Sequence, residues 1–170
     1  MNKAYAIFLN GPINSGKSTV GAMVATQLRD ATFIEGATLL KEEASHEDWV
    51  DDTILEAIDQ AIAAAEGGKL PIVACPVRPE DWRVIAAACS GAEVVPICIT
   101  LAPPLEVALD KRGARELSPE ELLRTAKMYK EDYHRREFSS LTLNNGTESP
   151  SATSEQVTHF LSSLTGAKPW

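Results

Sequence analysis

The sequence has no excess of positive charge and no long hydrophobic run. Its formal net charge is −8, and Lys and Arg form no basic stretch. Because a protein that binds RNA or DNA usually presents a basic face, no nucleic-acid partner is expected. The apolar run before Asn10 is too short for a signal-peptide core or a membrane span, so no membrane association is expected either.

Cysteine is also scarce, with only Cys75, Cys89 and Cys98 in 170 residues. The odd number and wide spacing exclude a disulfide framework and show no metal-ligand pattern. Such cysteines are typical of small buried residues in a reducing compartment, so a cytoplasmic location is expected. The length and the absence of a linker predict one domain over residues 1–166, followed by a loose tail at 167–170.

A glycine-rich stretch follows the first predicted strand. Residues 11–19 read GPINSGKST and fit G-x-x-x-x-G-K-[ST] without a mismatch. Gly11 and Gly16 allow a tight turn in which N–H groups converge on an anion, and the following helix adds its unpaired donors. Chance produces this pattern in under about 1 in 100 chains of this length, so the stretch predicts a nucleoside triphosphate site.

The same pattern assigns roles within this loop. Lys17 is predicted to reach the β- and γ-phosphates, and the Ser18 hydroxyl is predicted to bind Mg²⁺. ATP and Mg²⁺ are therefore the expected cofactors. The predicted ATP-binding residues of the loop are Gly11, Asn14, Ser15, Gly16, Lys17, Ser18 and Thr19.

Predicted strands and helices alternate along the whole chain. The strands are predicted at 5–9, 32–34, 70–74, 94–100 and 140–143, and the helices at 17–28, 45–65, 79–88, 103–112, 118–136 and 153–164. This alternation predicts an α/β fold with a parallel sheet covered on both faces. Ligands collect at the carboxyl ends of such strands, so the segments 35–37, 75–78 and 144–145 are expected to share one crevice with the glycine-rich loop.

The chain resembles the small P-loop kinases that include shikimate kinase, gluconate kinase, adenylylsulfate kinase and chloramphenicol phosphotransferase. The resemblance extends over nearly the full length, although only the loop at 11–19 is sharply diagnostic. Residues 109–115 (LDKRGAR) look like the arginine-bearing lid of that family, and residues 73–79 (VACPVRP) are similar to its substrate-side strand end. Residues 140–150 resemble the segment that borders adenine. The resemblance implies a three-layer fold with a five-stranded parallel sheet in the order 2-3-1-4-5, and a short helical lid at about 111–120.

The resemblance also implies roles for several arginines. Arg112 and Arg115 would close over the β- and γ-phosphates as catalytic cations, and Arg112 would also bind ATP. The alternative is that both lie at a solvated helix end, where arginines are common. Arg78 is either a contact to the substrate or a surface arginine.

A closing lid has a measurable consequence. Gly113 gives the segment backbone freedom, and few apolar residues anchor it. We expect hydrogen exchange over residues 111–117 to slow when nucleotide and acceptor bind. Equal protection with and without these ligands would contradict the lid assignment.

Three functions are compatible with these features. The first is transfer of the γ-phosphate of ATP to a hydroxyl of a small neutral or cationic molecule, such as an antibiotic or a sugar-like metabolite. A nucleoside or nucleotide kinase is the second, although a phosphorylated acceptor needs several arginines and the segment at 42–52 is acidic. The third is a nucleotide-binding regulatory or effector module without turnover, since no Asp ends the third strand. The oligomeric state stays open.

One position departs from the family pattern. In these kinases the second strand commonly ends in an acidic-x-acidic arrangement, whose second carboxylate takes the proton of the acceptor hydroxyl. Here Glu35 fills the first place and Ala37 the second, and a methyl group cannot accept a proton. Either Glu35 is the base, or the protein is a non-catalytic relative, or alanine replaces an aspartate; the third explanation is favoured. Glu35 and position 37 are thus the candidate catalytic and substrate-binding positions.

Overall fold

The computed structural model describes residues 3–36, 46–113 and 116–170, and for residues 46–51 the backbone alone. The strands within these ranges are β1 (Ala4–Asn10), β2 (Ala31–Glu35), β3 (Leu70–Ala74), β4 (Val94–Leu101) and β5 (Leu141–Leu143). The helices are α1 (Lys17–Gln27), α2 (His46–Glu66), α3 (Pro79–Gly91), α4 (Leu105–Leu109), α5 (Pro119–Lys130) and α6 (Pro150–Thr165). None of these helices is both long and apolar enough to cross a membrane.

The strands form one parallel sheet in the order β2-β3-β1-β4-β5, which confirms the predicted order. β1 lies in the middle, with Leu9 opposite Ala74 of β3 and Ile99 of β4. All five strands therefore end at the same edge of the sheet. The glycine-rich loop leaves β1 at the centre of that edge, so the loops after the neighbouring strands lie beside it.

The alternation of side chains along β1 divides the core into two halves. Ala6 and Phe8 face the layer that contains α2 and α3, whereas Ile7 and Leu9 face the layer that contains α1 and α6. All four side chains are fully buried. A strand that is buried on both faces reads as a continuous apolar run, which explains why the segment 5–9 is recognisable in the sequence.

Pro96 lies inside β4 without interrupting the sheet. It pairs in register with Ala6 of β1. On the other side of β4, the pairing with β5 begins only at Ile99, so the first half of the strand is an edge. A proline, which lacks an N–H donor, is tolerated at such an edge.

Several helix ends differ from the sequence prediction. α3 continues to Gly91 instead of ending at residue 88. α5 ends at Lys130, six residues before the predicted end, where the chain turns at Asp132 with φ +59°.

α4 ends at Leu109 instead of continuing to residue 112. The helix stops because the side-chain amide of Asn14 donates hydrogen bonds to the carbonyl oxygens of Ala108 and Asp110, at 2.9 and 3.0 Å. α6 begins at Pro150, with Ser149 as its N-cap, three residues before the predicted start. The Ser-Pro pair at 149–150 is a start signal of the kind that correctly located α5.

The segment 167–170 is docked, and the expectation of a loose tail is wrong. The Arg29 N–H donates to the Lys168 carbonyl at 2.9 Å, and the Trp170 N–H donates to the Gln27 carbonyl at 3.2 Å. Pro169 and Leu28 form an antiparallel bridge between these two bonds. The tail therefore extends the backbone pairing at the end of α1, far from the carboxyl edge of the sheet.

Candidate functional site

The glycine-rich loop joins β1 directly to α1, and both predicted glycines have special conformations. Gly11 has φ +148°, and a side chain there would meet the Leu101 carbonyl oxygen and lie 2.6 Å from Ser15 Oγ. Gly16 has φ +94° and caps α1, whose first N–H groups have no acceptor inside the helix. The loop therefore presents unpaired donors at the centre of the carboxyl edge, as a phosphate site requires.

Lys17 is folded back over this loop. Its Nζ donates to the carbonyl oxygens of Gly11 and Pro12, at 3.0 and 2.8 Å, and lies 3.5 Å from Ser15 Oγ. Burial lowers the pKa of Lys17 to about 8, and the nearby Cys75 and Glu35 partly offset this effect. The cation is thus held at the predicted anion site by weak neutral acceptors, and a phosphate would stabilise it better.

Glu35 is the described carboxylate whose charge raises the pKa of Lys17. Glu35 ends β2 opposite Ala74, the residue that precedes Cys75. Cys75 occupies the place after β3 where many P-loop proteins have a metal-binding carboxylate. Burial raises the pKa of the Cys75 thiol to about 12. A neutral thiol is a poor ligand for Mg²⁺, which prefers oxygen.

This environment predicts that the cysteines are unreactive in the native protein. Cys75, Cys89 and Cys98 are all buried and free, and burial raises the pKa of each thiol, to about 12 for Cys75 and about 11 for Cys98. Since the thiolate is the reactive form, labelling by iodoacetamide at about pH 8.5 should be negligible until denaturant is added. Peptide mass spectrometry reads each site separately. Rapid native labelling of Cys75 would contradict this description of the β3 end.

Arg112 lies where two of the predicted segments meet. It donates to the Asn14 carbonyl of the glycine-rich loop and to the Asn145 carbonyl after β5, both at 3.0 Å. The Asn14 side chain bonds in return to the carbonyls of Ala108 and Asp110 just before Arg112. The arginine is therefore fixed beside the loop without a nucleotide. Its contact with phosphate stays a prediction.

Arg78 is engaged at the start of α3. Its guanidinium donates to both carboxylate oxygens of the buried Asp81, at 2.9 and 2.7 Å, and Asp81 also accepts the Arg78 N–H. Glu80 lies 3.5 Å away. Arg78 is thus the N-cap of a helix that starts at the crevice, and its predicted contact to a substrate is not tested by this arrangement.

Asn10 is a buried polar residue that the sequence analysis did not single out. Its side-chain Oδ1 accepts the Val77 N–H at 2.8 Å, and its Nδ2 donates to Thr100 Oγ1 and to the Tyr133 carbonyl, both at 3.0 Å. The amide thus ties the end of β1 to β4, to the loop after β3 and to the segment after α5. The available signal was an asparagine at the end of an otherwise apolar strand.

Tyr133 lies between two arginines on the same side of the sheet. The Cζ atoms of Arg136 and Arg124 are 4.2 and 5.8 Å from the centre of its ring. Arg136 donates to the carbonyls of Val77 and Glu131, both at 2.9 Å. Arg124 pairs with the Glu131 carboxylate at 2.8 Å. These contacts fix the wall of the crevice that lies next to Asn10.

The backbone was compared with solved structures. It aligns with a gluconokinase from Sinorhizobium meliloti at a TM-score of 0.77 and 15% identity, covering 98% of this chain and 96% of that one. The Mycobacterium tuberculosis APS kinase CysC in complex with AMPPNP and APS gives 0.69 and 18%, covering 95% and 99%. A tunicamycin resistance protein from Deinococcus radiodurans gives 0.66 and 15%, covering 98% of each chain.

The chain has the P-loop kinase fold. At these identities the likeness concerns the backbone alone. No family model matches the sequence, and no curated protein matches it either.

Within this P-loop kinase fold, some predicted site residues can be placed and others cannot. Ser18 and Thr19 are exposed at the start of α1, where their hydroxyls are open to a ligand. Ala37 and Arg115 lie outside the described residues, so their roles stay predictions. In the described part of the chain, no three His, Cys, Asp or Glu residues are grouped so as to hold a metal ion.

Proposed function

We propose that this protein transfers the γ-phosphate of ATP to a hydroxyl of a small neutral or cationic molecule. The observation that carries the proposal is the loop at 11–19, with its unpaired N–H groups and Lys17 at the centre of the carboxyl edge. The P-loop kinase fold supports the assignment, since it places the carboxyl ends of β2 and β3 on the same edge as that point. An acceptor would lie between the loops after these strands and the phosphates.

The reaction needs little covalent participation from the protein. The acceptor oxygen would form a bond to the γ-phosphorus, the bond from that phosphorus to the β–γ bridging oxygen would break, and ADP would leave. The hydroxyl proton would pass to a carboxylate, and Glu35 is the described candidate. Lys17 and Arg112 would stabilise the negative charge that moves to the leaving group.

The residues of the site fit a magnesium ion that arrives with the nucleotide. Mg²⁺ keeps several water ligands and is commonly bound by one or two protein groups together with substrate phosphates. Ser18 offers an exposed hydroxyl for this purpose, whereas the neutral Cys75 thiol offers no ligand. When bound, the ion would neutralise charge on the phosphates.

The distribution of charge along the chain favours an acceptor without a phosphate of its own. Residues 42–52 include six acidic side chains, and no Lys or Arg. Arg78 and Arg124 already have carboxylate partners, Asp81 at 2.7 Å and Glu131 at 2.8 Å. An anionic group that bound Arg78 or Arg124 would have to compete with these carboxylates, which costs interaction energy.

Ala37 favours a second candidate, a nucleotide-binding module without turnover. A protein that has lost its proton acceptor could retain the phosphate site and its conformational response. The two candidates differ in one observable property. A phosphotransferase releases ADP only when an acceptor is present, whereas the module binds nucleotide without releasing ADP.

The test is ADP release from MgATP with a panel of hydroxyl compounds of different charge. D-glucose and chloramphenicol serve as neutral acceptors, D-glucosamine as the cationic one, and D-gluconate and shikimate as anionic ones. We expect turnover with a neutral or cationic compound and none in the Lys17→Met variant. Turnover with the anionic compounds alone would contradict the proposed acceptor class, and binding of MgATP without turnover would favour the module.

A further inference from the structure

Asn145 reaches the phosphate loop from a distant part of the sequence. It lies just after β5, and its Nδ2 donates to the Ser15 carbonyl at 2.8 Å across a separation of 130 residues. The same atom lies 3.6 Å from the point where a Cβ of Gly16 would be. The side chain is buried, with only 3% of the residue exposed. Asn145 therefore packs directly against the peptide that joins Ser15 to Gly16.

The contact fixes the direction of that peptide. In a planar trans peptide the C=O and the N–H point in opposite directions. Because Asn145 holds the Ser15 carbonyl, the Gly16 N–H is directed away from Asn145, and it donates to no backbone carbonyl in the described ranges. Free N–H groups that converge in this way form the concavity that binds a phosphate.

The neighbouring peptide is held in the same manner. Arg112 donates to the Asn14 carbonyl and to the Asn145 carbonyl, both at 3.0 Å. Asn14 itself has φ +62°, a conformation that few non-glycine residues adopt without support. The successive carbonyls of Asn14 and Ser15 thus accept hydrogen bonds from Arg112 and Asn145, which belong to two distant segments. The segment after β5 is docked on the loop through Asn145.

One buried polar atom of Asn145 lacks a hydrogen-bond partner, which indicates that the amide has a role beyond packing. Its Oδ1 is buried and has no hydrogen-bond partner among the described residues. An unpaired buried acceptor is unfavourable, and an apolar residue of similar volume would avoid it. The Nδ2 donor is the part of the side chain that makes a specific contact.

We propose that Asn145 is a positioning residue that preforms the phosphate-binding loop by holding the Ser15–Gly16 peptide with its N–H toward the phosphates. This inference rests on the proposed nucleotide site, but it does not depend on the identity of the acceptor. It assigns to the segment after β5 a function toward the phosphates, in addition to the border with adenine that the resemblance implies.

The test compares ligands with and without phosphates. The probes are MgADP, magnesium tripolyphosphate and adenosine, measured by calorimetry on wild type, Asn145→Ala and Asn145→Leu. Alanine removes the donor and leaves a gap, whereas leucine fills the volume without a donor. Ser163→Ala is the control, because Ser163 is exposed near the end of α6, away from the crevice, and its side chain donates to the His159 carbonyl at 3.0 Å.

We expect both Asn145 variants to bind MgADP and tripolyphosphate roughly tenfold more weakly, with adenosine affinity changed less than about twofold and with the control unchanged. Equal loss for all three probes, as general destabilisation would cause, overturns the proposal, and so does unchanged MgADP affinity. If wild type binds no MgADP, the proposed nucleotide site is contradicted as well. If MgADP binds normally and no acceptor is phosphorylated, the proposed function alone is contradicted.

Discussion

Replacing Lys17 by methionine will reduce acceptor-dependent phosphoryl transfer by at least about 10³-fold. In the proposed reaction, the Lys17 ammonium stabilises the charge that moves from the γ-phosphate to the leaving group. Its described contacts are to the Gly11 and Pro12 carbonyls and, more distantly, to Ser15 Oγ, so the fold does not depend on it. Methionine keeps an unbranched apolar side chain of nearly the same length and removes the charge and the donors.

The stability of this variant should be close to wild type or slightly higher. Burial of the ammonium disfavours its charged form, as the lowered pKa of Lys17 shows, and methionine removes that penalty. Lys69→Met is the matched control, since Lys69 is exposed and only pairs with Asp30 at 3.2 Å. Coupled ADP detection and thermal melting give the two readouts. Wild-type turnover in Lys17→Met would show that the loop is not the site of transfer.

Restoring a carboxylate at position 37 should have the opposite effect. A general base typically contributes on the order of 10²–10⁴-fold in rate, so Ala37→Asp is expected to raise acceptor-dependent turnover by a factor in that range. ATP affinity should change little, because the residue is predicted to face the acceptor. The measurement is kcat and KM for the acceptor in wild type and variant.

The companion variant is Glu35→Gln, which removes the one described carboxylate that interacts with the Lys17 charge. Glu155→Gln, on the exposed face of α6, is its control. A large gain from Ala37→Asp places the base at position 37. No gain, together with loss of activity in Glu35→Gln, moves the role to Glu35 and contradicts the favoured explanation of the alanine.

The local sequence predicted the centre of the molecule well. The loop at 11–19 needs particular residues at particular positions, because only glycine accepts the backbone of Gly11 and Gly16. β1 and β3 are buried on both faces and leave a continuous apolar signal. No single segment of the sequence determines the order of the strands in the sheet. The resemblance to known kinases predicted that order.

The errors fall where distant residues decide the outcome. α4 stops at Leu109 because Asn14, nearly a hundred positions earlier, donates to the carbonyls of Ala108 and Asp110 around its end. The segment 167–170 docks because it finds open backbone groups beside Gln27 and Arg29. Neither interaction leaves a periodic signal in the sequence, so neither could be predicted from the local pattern.

The residues of the site also divide into those that a local motif predicts and those whose role depends on distant partners. Lys17 follows directly from the motif, whereas Asn10 and Asn145 act through hydrogen bonds to groups about 70 to 130 residues away. An asparagine in a loop has many uses, and its partner becomes visible only when the sheet brings the strand ends together. Arg112 was identified from its resemblance to a lid, but its contacts to two carbonyls could not be predicted from that resemblance.

The most direct measurement of the central claim is a transfer assay with ATP that carries heavy oxygen in its γ-phosphate. Wild type and Ala37→Asp are incubated with MgATP and each compound of the acceptor panel, and the products are resolved by mass spectrometry. We expect one compound to gain a labelled phosphoryl group in equal amount to the ADP formed, and Lys17→Met to give neither product. The contradicting result is that wild type and Ala37→Asp both bind MgATP but the label stays in ATP or appears only in inorganic phosphate. The protein is then not a phosphotransferase for small hydroxyl acceptors.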